Sequence, residues 1–363
     1  MTTPSAAPRR SFAASNSREG FKNYYGEIFT DTRIDRLYII KGGPGTGKSH
    51  FMKVVARYAR ERGYAVTEFY CSSDPASLDG ILLTRKDSPT VGLLDGTAPH
   101  VREPVLPGAK DEIVDLGAFW DPKTLAGQRD TIRRLGQGKS AAYARAYTCL
   151  RAAGDMVELA DSLTEDCVRT DRLEALAARI LRHQPTGESF EVIPALRRAI
   201  SMAGRYTLHS FEESAKTLLL PEDPYGMGYR LTAALLKLSE SRRHRVFVSY
   251  DPLCPRKIDG LLYPDTGLCV LIGDASPAEE TNTRALPLRR YYEPEKLRTI
   301  RGELRQAINL RETLTDTALR HLADAAAYHF ELETIYAAAM DFRAKEEFTE
   351  RFCGEALEGT SGR

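Results

Sequence analysis

The sequence lacks any close cysteine pair: Cys71, Cys149, Cys167, Cys254, Cys269 and Cys353 stand far apart with no CxxC spacing. That excludes a zinc knuckle and a vicinal redox motif, and leaves small buried hydrophobes as their expected role. No apolar run approaches the length of a signal peptide or a membrane span, so no membrane partner is expected and a reducing cytoplasm fits best. Net charge is also missing. With 51 Lys and Arg against 50 Asp and Glu, a formal +1, no global field draws the chain to nucleic acid. The basic run Arg242 to Arg245, without interleaved aromatics, adds little, and a nucleic-acid partner is not expected.

What is present suits a packed protein of 363 residues, with 42% hydrophobic and 28% charged residues and room for two domains. The stretch "IIKGGPGTGKSH", residues 39 to 50, is too rich in glycine for an ordinary helix start. Gly42, Gly47, Lys48 and Ser49 match G-x-x-x-x-G-K-[ST], a pattern that arises by chance in a chain of this length about 1% of the time. Its flanks fit: Leu37 to Ile40 read as a buried strand, and His50 to Arg62 carry apolar residues at helical spacing. Glycines let consecutive N–H groups converge on phosphate oxygens, and a helix N-terminus adds partial positive charge. The expected nucleotide-binding residues are therefore Gly42, Gly43, Pro44, Gly45, Thr46, Gly47, Lys48, Ser49 and His50. Lys48 would reach the terminal phosphates and Ser49 would ligate Mg²⁺.

A second copy of this plan follows about 180 residues later. "RLYIIKGGPGTGKSHFMKVV", "FYCSSDPASLDGILL" and "TVGLLDGTAPH" are answered by "KTLLLPEDPYGMGYRLTAAL", "VSYDPLCPRKIDGLLY" and "LCVLIGDASPAE". Asp79 pairs with Asp259 and Asp95 with Asp274. "FWDPKTL" is matched by "YYEPEKL", each opening a long helical stretch, from about Lys139 to His183 and from about Glu295 to Phe352. In this alignment Tyr229 and Arg230 replace Lys48 and Ser49, and Glu222 and Asp223 replace Lys41 and Gly42. Carboxylates there would repel a triphosphate, so one working site and one pseudo-site are expected.

The expected fold is α/β: two tandem P-loop NTPase domains, each a three-layer parallel sheet, with long helical extensions and a degenerate second loop. A flexible N-terminus spans 1–8, the first domain 9–183, a linker 184–204, the second domain 205–352 and a flexible tail 353–363.

Asp95, a carboxylate ending a hydrophobic strand, is the second expected Mg²⁺ residue. It is followed by Gly96 instead of Glu, so the adjacent general base of many ATPases is missing. Asp74, Asp79 and His100 follow predicted strands and fall at the carboxyl ends of the sheet, where acceptors bind. Asp74 or Asp79 would accept a proton and His100 would titrate near neutrality. The alternative for both carboxylates is turn chemistry, and for Asp79 its match in Asp259 favours a structural task. Arg129, Arg133 and Arg134 are candidates for phosphate-clamping fingers, more often a solvated helix face.

"KGGPGTGKS", "CSSDPASLDG" and "LLDGTAPHV" together resemble a family of uncharacterised bacterial proteins with two tandem P-loop NTPase halves, described as ATPases or nucleotide-kinase-like proteins. The resemblance spans roughly residues 9 to 352 and implies ATP binding without an established substrate. Here "PEDPYGMGYR" departs from the second phosphate loop usual in that family. Three functions follow as expectations: Mg-dependent ATP hydrolysis coupled to interdomain change, γ-phosphoryl transfer to an unknown small-molecule acceptor, or a non-hydrolysing nucleotide sensor that meets a protein partner.

Overall fold

The computed structural model describes residues 8–211, 216–273 and 283–358. Asp274, the expected counterpart of Asp95, lies outside the described residues. So do most of the expected flexible N-terminus and the last part of the expected tail.

The first half runs β1 (Arg10–Phe12), β2 (Ala14–Ser17), β3 (Gly20–Asn23), α1 (Tyr25–Ile28), β4 (Arg36–Lys41), α2 (Lys48–Glu61), β5 (Ala65–Tyr70), β6 (Leu78–Thr84), β7 (Val91–Asp95) and β8 (Asp111–Asp115). It continues into α3 (Pro122–Gly127), α4 (Arg129–Thr164) and α5 (Thr170–Ile180). The second half repeats the order with β9 (Glu191–Pro194), β10 (Arg198–Ser201), β11 (Gly204–Thr207), β12 (Lys216–Leu220), α6 (Met227–Ser241), β13 (Arg245–Tyr250), β14 (Ile258–Tyr263), β15 (Leu268–Ile272) and β16 (Thr283–Ala285). The chain ends in α7 (Pro294–Ala338) and α8 (Phe342–Glu358).

Each half builds a six-stranded sheet. The orders are β1-β5-β6-β7-β4-β8 and, read from the matching edge, β9-β13-β14-β15-β12-β16, a strand-for-strand repeat. The sheets are mixed, which corrects the expectation of parallel sheets: β6 and β14 run antiparallel to both neighbours. The cause is connection length. Residues 71–77 and 251–257 are too few for a crossover, which takes a dozen residues or more, so the chain turns straight back.

Segment 184–204 is not a linker. It carries β9, paired in parallel with β13 at the sheet edge, and β10, half of a hairpin with β11. Pro194 is tolerated because it ends an edge strand. The residues expected to begin the tail are equally ordered. Cys353, Ala356 and Leu357 are buried, as is Phe352, in the core formed by α2 and the first sheet.

The long helices exchange between halves. A short turn at Glu165–Cys167 breaks the first arm, and α5 then lays Leu173, Leu176 and Ala177 into the core of the second half. The break at Ala339–Asp341 lets α8 do the reverse. Matching main-chain bonds fix the equivalence: Asp121 N–H donates to Ala339 O at 2.8 Å and Glu293 N–H to Cys167 O at 2.7 Å. Asp341 N–H donates to Phe119 O at 2.9 Å and Arg169 N–H to Tyr291 O at 2.8 Å. Between the crossings α4 and α7 lie along each other, sharing buried Ala146, Leu150, Ala318 and Leu322. At the front, Phe12 and Leu196 exchange main-chain bonds of 2.7 and 3.0 Å, so the edges of the two sheets meet there.

Candidate functional site

Strand β4 is buried from Leu37 to Ile40 and delivers the chain into the glycine loop. Gly42, Gly45 and Gly47 hold positive φ of 148°, 73° and 75°, the region that favours glycine. Gly47 caps α2 in the left-handed conformation, so the helix starts at Lys48 with its first N–H groups open to the loop. Phe51, Met52, Val55, Ala56 and Ala59 seat α2 on the sheet, each large side chain contributing about 1.5–3 kcal/mol by burial. Neighbours leave the loop no room for side chains. A Cβ on Gly43 would come 3.1 Å from Trp120, and one on Gly45 would come 2.5 Å from the main-chain oxygen of Glu333 on α7.

Lys48 Nζ donates to Gly42 O and Gly43 O at 2.8 Å each and stands 3.6 Å from Asp95 Oδ2. The other Asp95 oxygen accepts from Thr97 N–H at 2.9 Å and Thr97 Oγ1 at 2.6 Å. Ser49 Oγ accepts from Leu78 N–H at 2.9 Å. These groups converge because β7 pairs directly with β4, placing Asp95 opposite Ile40 at the mouth of the loop. They line a cavity of about 1190 Å³. Gly43, Pro44, Gly45, Thr46, Gly47, Lys48, Ser49, Asp74, Asp79, Asp95 and His100 all border it. Gly42 lies just behind, with Thr46 Oγ1 2.9 Å from where its Cβ would be. His50 is exposed and does not border the cavity, because it follows the loop on the outer turn of α2.

Asp74 and Asp79 are both engaged locally. Asp74 accepts from Ala76 N–H at 3.2 Å and Ser77 Oγ at 2.6 Å, which is turn capping. Asp79, 4% exposed, accepts from Tyr25 Oη at 3.1 Å and lies 3.3 Å from His100 Nε2. Burial works to lower the His100 pKa, but the Asp79 hydrogen bond and charge outweigh it and hold the imidazole above its ordinary value. Burial, aided by Asp79, pushes Tyr25 well up.

The helical arms close the cavity, and here sequence reasoning missed residues. Lys139 on α4, and His329 and Glu333 on α7, face the loop. Burial, with Lys139 and Lys48 nearby, lowers His329 to about 4, so it is neutral at pH 7. Burial lowers Lys139, while Glu333 draws it back. Lys345 on α8 brings Nζ within 3.1 Å of a Cβ position on Gly47. The available signal was a polar i, i+4 pair, His329 and Glu333, on a helix whose buried face, with Ala318 and Leu322, packs against α4. Arg133 is not a clamp: it pairs with Asp130 at 2.7 Å and points to solvent, while Arg129 and Arg134 are exposed.

Among the described residues the second half shows no such cavity. Its loop is one residue shorter, with five residues between Leu220 and the left-handed cap Gly226 against six between Ile40 and Gly47. Gly96 N–H donates to Ile40 O at 2.9 Å and Gly273 N–H to Leu220 O at 3.1 Å, which anchors the superposition. Lys48 and Ser49 are therefore matched by Met227 and Gly228, which corrects the assignment of Tyr229 and Arg230. Asp95 is matched by Ile272, opposite Leu220 as Asp95 is opposite Ile40. Asp223 turns onto its own helix, accepting from Met227 N–H at 3.2 Å and from Tyr292 Oη at 2.6 Å. Arg198 pairs with Glu222 at 2.9 Å, with Asp251 at 3.6 Å and with Asp259, filling the crevice. A void of about 20 Å³ remains.

Among the described residues no group of three or more His, Cys, Asp or Glu is arranged to hold a metal, and no helix is long and apolar enough to cross a membrane. Comparison with family models, curated proteins and solved structures gave no match.

Proposed function

We propose that the chain is a tandem P-loop NTPase in which the first half binds MgATP and hydrolyses it, and the second half is a pseudo-site. One observation carries this reading: three positive-φ glycines open a helix N-terminus onto a cavity in which Lys48, Ser49 and Asp95 converge. Such a loop suits a polyphosphate, since converging N–H groups and the helix end attract anionic oxygens. Among the described residues Lys48 has two loop carbonyls and Asp95 as partners, so its ammonium is placed to exchange them for phosphate oxygens. The residues also fit Mg²⁺, because Ser49 and Asp95 offer the hard oxygen donors it takes alongside phosphate. When bound, the metal would neutralise charge on the terminal phosphates.

The contrast between halves supports the same reading. Where the first loop faces a large cavity, the second is occupied by the chain's own Asp223 and Arg198. A cytoplasmic location follows as an expectation from cysteines that stand far apart in the sequence with no CxxC and from the use of ATP.

Isothermal titration with MgATP on the wild type and Lys48→Ala tests the site. Saturable binding that Lys48→Ala weakens at least tenfold is expected, together with phosphate release without an acceptor. No saturation in the wild type would overturn the reading. The reach of the cavity beyond the loop, to Phe21, Tyr143 and Met202, favours phosphoryl transfer as the second reading. It would show as turnover only when an acceptor from a metabolite pool is present.

A further inference from the structure

If the first half hydrolyses ATP, some group must take a proton from the attacking water, and the sheet offers none. Gly96, the position after Asp95, admits no side chain, since its Cβ would sit 2.4 Å from Ile39 Cγ2. Both oxygens of Asp74 are bound within their turn. Asp79 is taken by Tyr25 and His100. Asp95 is held by Thr97 and faces Lys48.

Among the described residues, the remaining carboxylate on the cavity wall is Glu333, carried by α7, nearly three hundred residues from the loop. Its own main chain is wedged on Gly45, 2.5 Å from that residue's Cβ position, so the backbone bearing the carboxylate is fixed at the apex of the loop. Burial and the charge of Asp74 raise its carboxyl above the ordinary value, while Lys48 and the Gly45 amide pull it back. Its side-chain neighbour is His329, Nε2 to Oε1 3.5 Å, a neutral imidazole at pH 7.

The internal repeat gives an independent comparison. Asp341 and Arg169 are equivalent by their bonds to Phe119 and Tyr291, and eight residues before each stand Glu333 and Asp161. Asp161 Oδ1 lies 3.0 Å from the Cβ position of Gly226, the loop cap of the second half. Both arms thus bring a carboxylate to the opposing half's loop. In the second half Lys257 pairs with it. The equivalent of Lys257 is Ser77, since Cys71 N–H donates to Ser77 O at 2.9 Å as Asp251 N–H does to Lys257 O at 2.8 Å. The carboxylate is thus ion-paired with Lys257 beside the filled site, whereas beside the open site Ser77 stands at that position and Lys48 and Lys139 act on Glu333 through their charge.

We propose that Glu333 is the general base of the first site, delivered by the helical arm of the second half. This rests on the reading of loop 42–49 as an ATP site. The carboxylate takes one proton from the water as its oxygen bonds to the terminal phosphorus. The bridging P–O bond breaks and ADP leaves with that electron pair, so phosphate and ADP are the products.

The test compares wild type, Glu333→Gln, Lys48→Ala and Glu331→Gln, an exposed change on the same helix. ATP affinity is read by titration calorimetry and ADP formation by single-turnover chromatography. Glu333→Gln keeps the side-chain shape and the main-chain contact with Gly45. It should bind ATP within about threefold of wild type, retain it uncleaved, and lose about 10²- to 10⁴-fold in rate. Glu331→Gln should behave as wild type. A rate within about threefold of wild type for Glu333→Gln overturns the base assignment and leaves the ATP site standing. ATP binding lost as in Lys48→Ala would also overturn it, since Glu333 would then be shaping the loop. ATP bound but never cleaved by wild type overturns it too, whereas no ATP binding by wild type removes the underlying reading.

Discussion

Replacing Gly45 with alanine tests whether α7 is seated on the glycine loop. At φ 73° a side chain costs about 1–2 kcal/mol in backbone strain. The new methyl would also lie 2.5 Å from Glu333 O and 3.0 Å from Ala337 N, main-chain atoms of a helix that cannot swing aside singly. Overpacking of that kind costs about 1–3 kcal/mol more. The expected loss is about 2–5 kcal/mol, a large part of the about 5–15 kcal/mol by which domains are stable. Gly63→Ala supplies the control: its φ is 77° and nothing lies within 4 Å of its Cβ position, so it carries the strain alone. Trp120, the single tryptophan, packs on Gly43 and reports this region in denaturant titrations followed by fluorescence. Gly45→Ala should unfold at lower denaturant than Gly63→Ala, with faster hydrogen exchange in residues 329–338. Equal losses for the two variants would mean that the arm does not rest on the loop in solution, and the contact with Glu333 would fall with it.

Asp79→Asn should lower the His100 pKa, since burial would then meet weaker opposition. Histidine NMR titrations check this, and no change would refute the pairing. The sign for stability is fixed by a folded value above the unfolded 6.5. The contribution is complete below pH 6.5 and fades as pH rises through the folded value, so the gap between wild type and Asp79→Asn should narrow at alkaline pH. Arg198→Met should cost about 3–5 kcal/mol in thermal or chemical unfolding, because it strands the fully buried Asp259. Adding Asp259→Asn should restore a large part of that loss.

The loop, its strand and its helix were legible because they are local. Glycine, lysine and serine at fixed spacing between a strand and an amphipathic helix state their geometry in a dozen residues. The repeat was legible for the same reason, since β4, α2, β6 and β7 recur with similar spacing. What escaped depends on distant contacts or on single-residue shifts. Alignment by letters set Tyr229 and Arg230 against Lys48 and Ser49, while main-chain bonds show a loop one residue shorter and place Met227 and Gly228 there. Antiparallel β6 follows from the short connection 71–77, which is too few residues for a crossover. Glu333, Lys139 and Lys345 escaped because nothing near them in sequence names the loop they touch. Only the fold shows that the helices cross.

On the proposed function, that crossing bears on why a half without a working site would be kept. Phe352, Cys353, Ala356 and Leu357 close the first core, and Leu173, Leu176 and Ala177 close the second, so neither sheet completes its core from its own half. Each half depends on the other for apolar burial, worth about 1.5–3 kcal/mol for each large side chain. On the proposed function the same exchange would also carry chemistry. The turn at Ala339–Asp341 that sends α8 to the first core also sets the register of α7, and with it the position of Glu333 over Gly45. A second loop free to bind its own triphosphate would push on Asp161 in the equivalent place. With Arg198, Lys257 and Asp223 filling that crevice, the second half becomes a fixed frame against which one arm addresses one loop.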